Sequence, residues 1–335
     1  GAAPGSLGFE TARQLAAWGA AVTVTTRRDP GRAVAALHGQ VEGEVDGHAL
    51  DLAQPDSVRR FAQWHADTHS RLDLLVNNAG VHLDLLSQWK QPQLTADGHE
   101  IHWRTNYLGT VQLTRLLLPA LRAAAQAKGQ ARVVNVVSKL HAKGSNAALF
   151  EAPARYDSPY NSWAAYGTSK LALIHETFEL QRRYAGGGLK AYCLHPGAVF
   201  THIADKGLAG NPRLEALRRA FAPVERYFLL TPREGAQTTL HCATHPAAAG
   251  ATTSTARRRS RPPMRSMHRR RPGYGRTPRP GWQLWADRGG CPANCDQRGY
   301  NPRQSSCARS LRAAHHHGEP AHQDLCVRLP GAEGH

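Results

Sequence analysis

Leu72-Asp73-Leu74-Leu75-Val76-Asn77-Asn78-Ala79-Gly80 is a short apolar run that stops at two amides, a small residue and a glycine. An apolar run of this length, bounded by turn residues, reads as a buried strand. The Asn-Asn-Ala-Gly at its end fixes a turn through its amides and lets the backbone pass close to a bound group. Three more runs read as strands: Ala20-Ala21-Val22-Thr23-Val24-Thr25, Arg132-Val133-Val134-Asn135-Val136-Val137 and Lys190-Ala191-Tyr192-Cys193-Leu194. Helical patterns lie between them, over Phe9–Trp18, Ser57–His69, Gly98–Ala127 and Ala164–Tyr184. Strand alternating with helix predicts an α/β fold, a doubly wound parallel sheet covered on both faces. Helix Gly98–Ala127 is apolar on more than one side, which suits packing on that sheet or a homo-oligomer interface on the same surface.

Composition divides the 335 residues in two. The net charge is +17, which by itself suggests an acidic partner such as nucleic acid. From Ala251 to His335, however, there are 16 Arg, no Lys and 5 acidic residues, so +11 of that charge sits there and only +6 on the first 250 residues. The pattern ends near residue 249 and an irregular tail follows, rich in Arg, Pro, Gly and Ser. Such a segment buries too little apolar surface to offset its ordering entropy. Residues 1–249 are therefore expected to be the folded domain. Residues 250–335 are expected to be a disordered tail or the product of a shifted reading frame. Cys193 and Cys242 are isolated in the domain, which points away from a disulfide framework and towards a reducing, cytoplasmic setting. No apolar run reaches the roughly 18 residues of a membrane span, and no signal peptide opens the sequence.

The residues that carry chemistry sit just past the strand ends. Gly1, Gly5 and Gly8 open a helix, where glycines let backbone approach a pyrophosphate at the helix N-terminus. After the strand ending at Thr25 come Thr26, Arg27, Arg28 and Asp29. An acid there would hold the ribose hydroxyl of NAD, whereas arginine takes the 2′-phosphate of NADP. Thr26 followed by Arg27 and Arg28 favours NADP, with NAD the alternative through Asp29. Asp51 and Leu52 stand at another expected strand end, where Asp51 could meet an adenine. Asn78, Ala79 and Gly80 follow, then Asn106, Ser138, and Tyr166 with Lys170 one helical turn on. An ammonium beside a phenol favours the phenolate and lowers the pKa, so that Tyr166 could exchange a proton near neutral pH. Pro196, Gly197 and Thr201 follow the last strand.

This ordered set resembles the short-chain dehydrogenases/reductases, over roughly the first three quarters of the chain, with a Rossmann-type fold. Ser169-Lys170-Leu171, His195-Pro196-Gly197-Ala198-Val199 with Thr201, and Thr231-Pro232-Arg233-Glu234-Gly235-Ala236-Gln237 are similar to the branch that holds the retinol dehydrogenases and protochlorophyllide reductases. The resemblance implies Tyr166 as general acid and base and Lys170 as its modulator and a ligand of the nicotinamide ribose. It implies Ser138 as the group polarising the substrate oxygen and Asn106 as the anchor of a proton-relaying water. Departures are visible. The family's first strand is missing before Gly1, and the glycine spacing is one residue longer than usual. Val137 replaces the first of the usual Ser-Ser pair. The stretch from Ser138 to Tyr166 is long, consistent with an insertion around Lys143–Ser162.

The expected activity is NADP-preferring interconversion of a carbonyl and an alcohol on a small hydrophobic molecule, with Phe200–Leu230 supplying apolar residues to the pocket. One alternative is a truncated or frameshifted, non-catalytic member of the same fold. Nucleic-acid binding by the basic tail is the weaker alternative, since neither aromatic interleaving nor a motif supports it. His315-His316-His317 and the tail cysteines lack the paired spacing of a metal site, so none is expected. His195 reads as a turn residue facing the cofactor, Cys193 as a small buried apolar residue, and Trp163 as either a pocket wall or packing.

Overall fold

A computed structural model describes residues 2–150, 159–199, 229–245 and 248. Gly1, Thr201, most of Phe200–Leu230, part of the Lys143–Ser162 stretch and the whole tail lie outside the described residues. The described strands are β1 (Val22–Thr26), β2 (Val45–Ala49), β3 (Leu74–Asn77), β4 (Ala131–Val136) and β5 (Leu189–Leu194). The helices are α1 (Leu7–Ala17), α2 (Pro30–His38), α3 (Pro55–Thr68), α4 (Gly109–Lys128), α5 (Asn146–Phe150), α6 (Ser162–Tyr184) and α7 (Pro232–Thr244).

All strand pairs are parallel. β1 lies on β2, with Val22 opposite Val45. β4 lies between β3 and β5, with Leu74 opposite Arg132 and Ala131 opposite Leu189. Every residue of β4 is buried, as expected for a parallel strand covered on both faces. On one face Val134, Val136, Tyr192 and Leu194 meet Leu7 of α1 and Cys242 and Ala243 of α7. On the other, Val133 and Ala191 meet Leu121 and Ala125 of α4 and Leu180 of α6. A second side of α4, through Leu113 and Leu117, packs on Val58, Phe61 and Ala62 of α3. α4 thus packs on two sides within the fold, while its Leu116 is exposed.

A buried polar chain crosses the sheet at the level of the site. The Asn77 amide donates to Thr114 Oγ1 (3.0 Å) and Asn135 Oδ1 (2.8 Å), and the Asn135 amide donates to Thr177 Oγ1 (2.8 Å). It ties α4, β3, β4 and α6 into one register.

Between β1 and β3 the sheet is open: among the described residues no strand joins them. A cavity of about 1450 Å³ fills the gap, lined by Val22 and Val24 on one side and by Leu72, Leu74 and Val76 on the other. The Ala2 amide donates to the Thr25 carbonyl (3.3 Å), so the chain meets this slot beside the C-terminal end of β1.

Element ends follow local chemistry. Ser6 caps α1 by accepting from Phe9 N (3.2 Å), and Asp29 caps α2 by accepting from Arg32 N (2.9 Å), with Pro30 in the first turn. Thr231 and Glu234 form a capping box on α7. The helix expected from Gly98 starts later. Gly98 is left-handed at φ +77°, Leu94 bridges Glu100, and a π-helical turn at Trp103–Leu108 then leads into α4.

Candidate functional site

The site is built on α6 and the loop after β3. Asn161 starts α6 by accepting from Trp163 N and Ala164 N, both at 3.0 Å. Tyr166 and Lys170 then share one face, one turn apart, and both are buried. Gly167 lets Ser138 reach them. A Cβ on Gly167 would lie 2.5 Å from the Leu140 carbonyl oxygen. Without it, the 3-10 turn Lys139–Lys143 lies against α6, and Ser138, which caps that turn, shares a hydrogen bond with Tyr166.

The ammonium of Lys170 lies over the phenol ring and makes no hydrogen bond to its hydroxyl. Nζ donates to the Val136 carbonyl (3.1 Å) and lies 5.9 Å from the centroid of the Tyr166 ring. Burial holds Lys170 down at about 8. Burial likewise pushes Tyr166 up, opposed by the Ser138 hydrogen bond. The lowered phenol expected from the sequence is therefore corrected: desolvation of the phenolate outweighs its neighbours here. Gly80 is fitted to the lysine, since a Cβ there would lie 2.9 Å from Nζ.

Asn106 stands on the π-helical turn, a geometry frequent at functional sites. Its Oδ1 accepts from Val81 N (2.8 Å), and its Nδ2 donates to the Val81 carbonyl (3.0 Å) and to Ser169 Oγ (3.1 Å). Asn106 thus fixes the loop after Gly80 and leans on α6 through Ser169.

The other expected residues gather along the same edge. Gly5 is left-handed at φ +76° in the turn before α1, and Gly8 lies in the first turn of α1. Arg27 and Arg28 are exposed directly after β1, while the Asp29 carboxylate is engaged as the cap of α2. Thr26 Oγ1 is buried with no partner among the described residues. Asp51 is half-buried, its amide donating to Ser57 Oγ (3.0 Å), and Leu52 belongs to the core around α3 and α4. Asn78 and Ala79 are half-buried beside Gly80, with Asn78 N donating to the Val76 carbonyl (3.0 Å). Pro196 and Gly197 form the turn after β5, where Gly197 N donates to His195 Nδ1 (3.0 Å), so His195 is a turn residue. Cys193 is fully buried, its thiol pushed up to about 12 by burial. No group of three or more metal-ligating side chains occurs among the described residues.

Four buried residues near Tyr166 escape the sequence reading: His82, Glu100, His102 and Tyr160. The His82 ring stacks on the Tyr166 ring, centroids 4.5 Å apart and planes 12° apart. Its place two residues past Gly80, in a loop otherwise aimed at the site, was the available signal. The other three reach the site through tertiary contacts that no local pattern announces.

The arrangement is a buried phenol beside a half-buried serine hydroxyl, backed by a lysine, at the C-terminal edge of a parallel sheet, where such folds bind nucleotides. Known proteins agree with it. The family described as enoyl-(acyl carrier protein) reductase matches residues 1–255. Human retinol dehydrogenase 12 is 38% identical over 240 residues, covering 71% of this chain and 69% of that protein. Human retinol dehydrogenase 11 is 37% identical over the same coverage. Among solved structures, the Pseudomonas aeruginosa RhlG/NADP active-site complex superposes with TM-score 0.55 at 26% identity, over 75% of this chain and 90% of that one. The chain belongs to the short-chain dehydrogenase/reductase family of NAD(P)-dependent oxidoreductases, in its retinol-dehydrogenase-like branch.

Proposed function

We propose that this chain interconverts a carbonyl and an alcohol on a small hydrophobic molecule, prefers NADP, and uses Tyr166 as the proton carrier. The observation that carries the reading is the half-buried Ser138 hydroxyl bonded to the buried Tyr166 phenol, with the buried Lys170 behind Gly80. Two hydroxyls converging on one substrate oxygen would stabilise the charge that develops on it. In reduction, the Tyr166 phenol gives its proton to the carbonyl oxygen, and the phenolate recovers one from solvent. A reduced nicotinamide, when bound, would supply the hydride to the carbonyl carbon. Lys170, poised at about 8, sits close enough to favour the transient phenolate electrostatically.

The residues fit a dinucleotide. The orphaned Thr26 Oγ1 at the end of β1 offers a hydrogen bond to a ribose, and Gly5 opens α1 for a phosphate. Exposed Arg27 and Arg28, with Asp29 committed to a cap, favour the 2′-phosphate of NADP over NAD. Support also comes from the relatives, two of which are named for retinol, a hydrophobic alcohol. The test is turnover of NADPH and NADH with retinal and a panel of aldehydes and ketones. Activity with NADPH that is lost in Tyr166→Phe supports the reading. Turnover that survives Tyr166→Phe refutes it.

A further inference from the structure

We propose that His82 is a positioning residue for Tyr166, held flat on the phenol by a clamp that His102 and Asn106 close on the backbone to either side of it. The proposal rests on the reading of Tyr166 as proton carrier.

Two fully buried polar side chains bond one short stretch of loop, and a third, Glu100, backs one of them. Asn106, fully buried, grips both the amide and the carbonyl of Val81. His102, also fully buried, accepts from Leu83 N through Nε2 (3.0 Å). An Nε2 that accepts leaves the ring proton on Nδ1, which faces Glu100 Oε1 at 2.6 Å. Glu100 is in turn held by Tyr160 Oη, which donates to Oε1 (2.9 Å), and by Trp103 N, which donates to Oε2 (2.7 Å). Beyond residue 83 the loop is tied to the start of α6. Ser162 Oγ donates to the Asp84 carbonyl (2.6 Å) and Trp163 Nε1 to the Leu85 carbonyl (3.2 Å). Burying a carboxylate, an imidazole and an amide is costly unless every bond is used. Here those bonds converge on the residues flanking His82.

The result is a fixed imidazole plane. Its face lies on Tyr166, and its surroundings include Trp163 edge-on at 4.8 Å and His102 at 5.5 Å. Its Nε2 is buried with no partner among the described residues, so hydrogen bonding through that atom does not explain its place. Burial and His102 keep the ring neutral against the pull of Asp84 and Glu100, so no charge is laid on the phenol. A flat partner of this kind sets the plane of the tyrosine ring, and with it the direction of the hydroxyl towards Ser138. Small misplacements of a reacting group cost up to about a hundredfold in rate.

Three variants test this: His82→Phe keeps a flat ring, His82→Leu keeps bulk without one, and His82→Ala keeps neither. Expected is a fall in kcat of about tenfold or more for the Leu and Ala variants with KM little changed, and recovery of most of that loss in His82→Phe. The basic limb of the kcat pH profile should move to lower pH in His82→Ala, because water entering the gap solvates the phenolate, and stay in place in His82→Phe. A structural role alone would not move that limb. Wild-type kcat and pH profile in the Leu and Ala variants overturn the proposal. So does a His82→Phe variant that melts like wild type yet loses as much kcat as His82→Leu. Should Tyr166→Phe retain turnover, the functional reading fails separately. Tyrosinate absorbance, as the difference between proteins with and without Tyr166, then still reports whether His82 sets the environment of that phenol, and an unchanged difference titration in His82→Ala overturns the proposal.

Discussion

Lys170 Nζ lies 5.9 Å from the centre of the Tyr166 ring and donates its hydrogen bond to the Val136 carbonyl instead. The pair on successive turns thus meets as a cation over a ring, with no hydrogen bond from the ammonium to the hydroxyl. The lysine is a buried cation whose hydrogen bond goes to a backbone carbonyl, and desolvation holds it near 8. In the unfolded chain it would titrate at its ordinary value. Above pH 8 the folded state therefore binds fewer protons than the unfolded one, and stability rises with pH. The window closes near pH 9, where the raised thiol of Cys193 begins to act in the opposite sense. Lys170→Met should melt higher than wild type at pH 7, by up to about 3 kcal/mol, and should lack the rise between pH 8 and 9. Thermal melts across that range check both.

His82 gives the corresponding effect on the acid side. Its folded pKa is lowered to about 4, so between pH 6.5 and 4 the unfolded state takes up a proton that the folded state refuses. Stability contributed by the neutral ring is lost as pH falls through that range. His82→Phe should flatten the fall, by roughly 1–3 kcal/mol at pH 4, as measured by denaturant unfolding at several pH values.

Asn135 is the centre of the polar chain from Thr114 to Thr177. Asn135→Leu removes one of the two acceptors of the Asn77 amide and the donor to the Thr177 hydroxyl. A loss of about 2–4 kcal/mol is expected from two broken buried hydrogen bonds, read from urea unfolding midpoints. Asn135→Asp should cost at least as much, because the carboxylate cannot donate to Thr177.

Much of the fold and site is legible in the sequence because parallel strands buried on both faces carry a continuous apolar signal. Arg132–Val137 and Lys190–Leu194 are found as β4 and β5 within a residue. Gly80, Ser138, Tyr166 and Lys170 stand at strand ends or on the helix that follows, and the structure brings them together. What escapes is non-local. Glu100, His102 and Tyr160 meet across nearly sixty positions of sequence, through bonds that leave no period. The short helix α2 escapes because Asp29 reads as a ribose ligand before it reads as a cap. The direction of the Tyr166 shift escapes because spacing reveals a neighbouring charge but not the burial that opposes it.

Arg27 and Arg28 are exposed beside Thr26, free of the cap that occupies Asp29. Replacing both by Ala should weaken NADPH binding about 10- to 100-fold, the worth of charge-assisted bonds to a phosphate, and leave NADH binding within a factor of about two. Fluorescence titration with each nucleotide measures this.

The most direct test of the account is the rate of NADPH-dependent carbonyl reduction by Tyr166→Phe, with cofactor binding measured on the same preparation. The account predicts that kcat falls by about a hundredfold or more, while the Kd for NADPH stays near that of the unaltered chain. A Tyr166→Phe enzyme that binds NADPH normally and turns over within a few-fold of the unaltered chain would contradict it.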